Sequence, residues 1–131
     1  MTIRTFFAIF AVLAVLFGIG FVLAPAQVLS NYGVESSPAI ALMSRQFGGT
    51  LLAMAVILWC ARDFREEAAL RAVLIGFGVS DAINCIVAIV ATSAGTINAL
   101  GWTVVLIYLG GAVGAGYFLT AGRTQRHAMN A

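Results

Sequence analysis

Four long apolar stretches alternate with short polar ones along the chain. Residues 6–24, FFAIFAVLAVLFGIGFVLA, form an unbroken apolar run after Arg4. At about 1.5 Å rise per residue such a run crosses the hydrocarbon core of a bilayer. Its flank, Ala24-Pro25-Ala26, imitates a signal-peptide cleavage site, but the run is longer than a usual signal core, so it reads as a retained span. Pro25 marks its end, because proline disfavours helical geometry in the residue before it. Residues 25–37 read as a polar connection with a turn at Asn31-Tyr32-Gly33. Ser37-Pro38 then opens a second helix, serine as cap and proline at the first position. The charged stretch Arg62-Asp63-Phe64-Arg65-Glu66-Glu67 reads as a turn, with Asp63 and Glu66 in a capping box that starts the third helix near Phe64. Ser93-Ala94-Gly95 makes a short turn, and Thr96 is placed to cap the fourth helix. The predicted spans are 5–24, 38–61, 68–92 and 97–120, followed by a polar, frayed tail over 121–131. The fold class expected is all-α, a single four-helix transmembrane bundle.

Composition agrees with this pattern. Of the 131 residues 62% are hydrophobic and 9% charged, against about a quarter charged in soluble domains. A chain with so little charge could not cover a surface facing water, so the lipid bilayer is its expected partner. The net charge of +2 rests on seven arginines and no lysine. Arg4, the group Arg62, Arg65 and Arg71, and the pair Arg123 and Arg126 fall at alternate ends of the spans. Four crossings put all three segments on one side, which the positive-inside rule makes cytoplasmic. The chain therefore reads as a multi-pass protein of the cell inner membrane with both termini cytoplasmic. This placement of arginine speaks for orientation and against a nucleic-acid surface. Cys60 and Cys85 lie at different depths, about 28 Å apart by helical rise, too far for a disulfide.

Polar residues inside the spans carry the candidate chemistry. Ser44-Arg45-Gln46-Phe47-Gly48-Gly49-Thr50 interrupts the second span, and Asp81 with Asn84 interrupts the third. Arg45 lies eighteen residues before Asp63 and Asp81 eighteen after it. In an antiparallel hairpin both would sit about 27 Å from the turn. A lone intramembrane charge costs at least ~2.5–3.5 kcal/mol, so an Arg45–Asp81 pair with Asn84 beside it is the expected arrangement. Such a pair can serve as a register device. It can also be a site: a proton relay, an anion-binding arginine, or a contact to a quinone or lipid headgroup. A third arrangement has Arg45 snorkelling to the outer surface.

Helical spacing assigns one small or polar face to each span. These faces are Ala11, Ala14 and Gly18; Ala41, Arg45, Gly48, Gly49 and Leu52; Phe77, Gly78, Asp81, Asn84, Cys85, Ala88 and Thr92; and Thr103, Ile107, Gly110, Gly114 and Tyr117. Small residues let helix backbones approach, so these faces are expected to meet. Tyr108 needs an acceptor for its hydroxyl, and Trp59 and Trp102 suit interfacial anchors. His127 falls in the tail and reads as solvated.

Several motifs resemble a family pattern: Leu23-Ala24-Pro25-Ala26, Ser44-Arg45 followed by Gly48-Gly49, Leu58-Trp59 before Ala61-Arg62, Gly78 with Asp81-Ala82, and Asn98-Ala99-Leu100-Gly101-Trp102. The chain resembles small four-span bacterial inner-membrane proteins and is more distantly similar to the DoxX-like group. That resemblance implies the fold and compartment above and an accessory or redox-associated membrane role.

One tail histidine and two separated cysteines supply no metal set, and neither a P-loop nor a G-x-S-x-G turn occurs. No cofactor is predicted; a quinone or lipid is the group the spans could hold. With no nucleophile–base constellation, the reading leans away from an enzyme. The leading functional expectation is an accessory or scaffold subunit that packs against a membrane-protein partner or in a homo-oligomer. The competing one is binding or transport of a small ligand, proton or ion through Arg45, Asp81 and Asn84.

Overall fold

The computed structural model describes residues 1–129, with side chains through Ala121. Among the described residues there are five helices and no strand: α1 (Ile3–Leu23), α2 (Pro25–Asn31), α3 (Pro38–Ala61), α4 (Glu67–Ser93) and α5 (Gly101–Met129). The four long ones are apolar and long enough to cross a membrane, α5 over Gly101–Ala121. The protein is an all-α, multi-pass transmembrane bundle.

Local chemistry sets the helix ends. The Thr2 hydroxyl accepts from the Thr5 N–H and the Ser37 hydroxyl from the Ile40 N–H, capping α1 and α3. Gly33 and Gly95 hold the left-handed conformation, at φ 75° and 73°. At Gly33 the next N–H, of Val34, reaches back to the Leu29 carbonyl, and at Gly95 that of Thr96 reaches the Ala91 carbonyl. Both are Schellman caps, which need a residue without Cβ at that position.

Four boundaries differ from expectation. Residues 25–31 form a short helix, since proline is tolerated at a first helical position. The start of α4 is at Glu67, not near Phe64, because the Asp63 carboxylate bonds to Arg4 and Arg62 instead of capping the helix. The start of α5 is at Gly101, not Ile97. Asn98 holds the intervening turn through its own side chain, which accepts from the Leu100 N–H at 3.0 Å. The tail expected to fray continues α5 to Met129. The His127 side chain lies outside the described residues.

The helices pack as two antiparallel pairs. Along their length α1 lies on α3 and α4 on α5, while α3 and α4 touch only sparsely. Small residues make both seams. A Cβ on Gly48 would stand 2.8 Å from the Gly18 carbonyl, and one on Gly78 3.0 Å from the Ala115 side chain. The expected small faces therefore do meet, but within the pairs. Gly111 makes the close approach on α5 that was expected of Gly110, and Tyr117 is exposed.

The two pairs join differently at their two ends. At the arginine-bearing end Phe6, Phe7, Leu58, Leu74, Phe77 and Ala115 close one core between all four long helices. Phe6 packs its ring 4.9 Å from Phe10, 5.3 Å from Phe118 and 5.9 Å from Phe77. Here too Arg4 bonds to Asp63, tying the start of α1 to the α3–α4 turn. At the opposite end the loops meet. The Asn98 N–H donates to the Tyr32 carbonyl and the Asn98 side-chain amide to the Asn31 carbonyl, both at 2.9 Å.

Candidate functional site

Between the filled end and the loop staple the two pairs stand apart. They enclose a cavity of about 320 Å³, at the low end of the ~300–1,000 Å³ typical of ligand pockets. Its floor is the aromatic core, where Phe10 and Phe77 meet edge to face at 5.2 Å. Phe17, Phe21 and Phe47 line the α1–α3 side, and Val104, Ile107 and Tyr108 come from α5. Leu29, Tyr32, Val34 and Ile97 line it from the loop end. The wall is thus apolar and rich in rings, with polar groups gathered mainly on α4.

Those groups are Ser80, Asp81 and Asn84. Asp81 is only 6% exposed. Among the described residues no side chain forms an ion pair or hydrogen bond with it. Its carboxylate rests against α5 at Gly111, where a Cβ would occupy the space of the Oδ2 atom. The Phe10 ring borders the same point, 3.2 Å from where that Cβ would lie. Gly111 is therefore the seat of the carboxylate. The Asn84 amide nitrogen bonds within α4, to the Ser80 carbonyl at 2.9 Å and the Ser80 hydroxyl at 3.3 Å. Tyr108 and Tyr32 line the same cavity, and Thr50 completes the polar lining from α3.

Arg45 is the correction. Asp81 and Asn84 share the cavity as expected, but Arg45 does not line it and does not pair with Asp81. Its Nε donates to the Val22 carbonyl at 3.3 Å, in the last turn of α1. The last carbonyls of a helix have no N–H partner within it, and the Val22 carbonyl is one of these. A cation is also favoured at the negative end of the helix dipole. Equal depth was a sound count, but depth does not fix the direction in which a helix face points. With α3 packed on α1, the Arg45 side of α3 turns to the end of α1. Gly48 in the same stretch serves the α1–α3 seam, and Gly49 is exposed with open space around it.

Cys85 is buried on the α4–α5 seam, its Sγ 3.8 Å from the Val105 carbonyl, and Cys60 is exposed. Trp59 is stacked under the Arg62 guanidinium, 3.6 Å from the ring centroid. Sequence reasoning missed Gly111 as the seat of Asp81 and Asn98 as the staple between loops. For Gly111 a signal existed: Gly110 and Gly111 are adjacent, and only one can face α4.

No protein-family model, curated protein or solved structure matches this chain.

Proposed function

We propose that the chain is a non-enzymatic binding protein of the bacterial inner membrane that holds a small amphipathic molecule between its two helix pairs. The carrying observation is the ring-lined cavity with the unpartnered Asp81 in its wall. An apolar pocket with a few convergent polar groups is the usual form of a small-molecule site. An intramembrane ionisable residue is a functional-site candidate by default. The ligand's apolar body lies against the rings and its polar end at Asp81, with Asn84 and Tyr108 beside it.

An accessory or scaffold role drew its motive from the small-residue faces. Those faces are occupied within the chain, at Gly18–Gly48 and Gly78–Ala115, which leaves the cavity as the stronger motive. Both termini lie in the cytoplasm in this reading, supported by the arginine distribution.

The test uses the purified chain in lipid nanodiscs and the apolar fluorophore N-phenyl-1-naphthylamine. Ala14 lines the cavity, so Ala14→Trp fills it from α1. The expected result is saturable fluorescence above empty discs for the parent chain and none for Ala14→Trp. Identical uptake by both proteins would sink the proposal.

A further inference from the structure

The charges around the cavity are one-sided. Among its lining residues Asp81 is the one acidic or basic side chain, and no arginine is present. The segments at its loop end, residues 24–37 and 94–100, carry Glu35 as their single charge. Arg45, the nearest candidate counter-charge by depth, is directed to the Val22 carbonyl outside the wall. A carboxylate in such a place is costly unless something positive meets it. Among the described residues nothing positive meets it, yet the fold reserves space for the group by keeping Gly111 without a side chain. The rings add a second preference of the same sign. Phe10 borders the carboxylate, Phe77 packs on Phe10, and Tyr108 lines the same cavity. The faces of such rings attract cations electrostatically, more strongly when water is excluded.

We propose that the cavity binds a lipophilic cation: an ammonium or similar positive centre carried on an apolar body, with the centre at Asp81 and the body against the aromatic wall. This rests on the reading of the cavity as a ligand site. The volume of about 320 Å³ suits a body of one or two rings or a short branched chain. Two sources share this chemistry, a free lipophilic amine and the ammonium headgroup of a lipid.

The experiment displaces N-phenyl-1-naphthylamine from the parent chain in phosphatidylglycerol nanodiscs, which contain no ammonium. Trimethylphenylammonium is compared with its neutral isostere tert-butylbenzene and with benzenesulfonate, empty discs being subtracted. The cation is expected to displace the probe at a concentration at least tenfold lower than the isostere, and benzenesulfonate to be the weakest. Asp81→Asn is expected to abolish this preference while still taking up the probe, and Asp81→Glu to keep it. Equal potency of cation and isostere on the parent chain would overturn the inference, a comparison that needs no variant to fold. A preference that survives Asp81→Asn would overturn it as well. Either result leaves the cavity reading standing, whereas absence of probe uptake removes that reading itself. Repeating the titration in phosphatidylethanolamine discs separates the sources. A loss of potency there identifies the headgroup ammonium as a competitor for Asp81, and unchanged potency identifies a free amine.

Discussion

The arginine-bearing half of the bundle and the loop-bearing half are built from similar residues and end up filled and hollow. Both have phenylalanines on α1, and each has a close glycine contact within one helix pair, Gly78–Ala115 in the first and Gly18–Gly48 in the second. In the arginine-bearing half the Phe6 ring fits over Gly114, where a Cβ would meet it, and reaches Phe77 and Phe118 across the gap between pairs. In the other half Phe21 packs on Phe47, these two and Phe17 line the cavity, and Ser80, Asp81, Asn84 and Tyr108 line it from α4 and α5. Rings that meet rings across the gap between pairs close the space, while rings that meet only within one pair, as Phe21 meets Phe47, leave it open. The loop half is held instead from outside, by Asn98.

The largest test of that contrast is truncation of one ring in each half. Phe6→Ala removes a fully buried ring from the four-helix contact and is expected to cost about 3–5 kcal/mol, read by thermal unfolding in detergent. Phe17→Ala enlarges an existing cavity and should cost less than about half of that. Equal losses would mean that the two halves are packed alike. Next comes the staple. Asn98→Ala removes the bond to Asn31 and the Asn98 acceptor for Leu100, at about 0.5–1.5 kcal/mol per bond. Hydrogen exchange should accelerate at residues 29–34 and 96–101 and stay unchanged around Phe6. Acceleration at Phe6 would show that the halves are not independent. Smallest is Arg45→Leu. As a cap on the end of α1 it should cost about 0.3–1 kcal/mol. If Arg45 were the partner of Asp81, the same substitution would cost about 3–5 kcal/mol by leaving a buried charge alone.

Most of the architecture was legible in the chain because bilayer thickness converts apolar length directly into spans. Ser37-Pro38 and Gly33 marked real boundaries for the same reason: their chemistry acts within one turn. What escaped was lateral. Counting from Asp63 placed Arg45 and Asp81 at one depth, and it could not say that α3 would lie on α1 rather than on α4. The small face of α3 was read correctly at Gly48, yet the same face was asked to carry Arg45 toward α4. Choosing between Gly110 and Gly111 needed the position of Asp81 across the seam. Asn98 could not be found from its own segment, because its partners Asn31 and Tyr32 belong to a loop more than sixty residues earlier.

The pairing of α1 with α3 and of α4 with α5 bears on how the protein is made. Each seam joins two long helices that follow one another along the chain, so each can form as soon as its second helix has been synthesised. The first hairpin is complete before α4 exists, and only the aromatic core and the Asn98 staple must wait for the second. The turn at Arg62–Glu66 is then a natural point of division. Two separately inserted hairpins, cut there, contain every close glycine contact the long helices make within their pairs, and have only the junction between them left to find in the plane of the membrane.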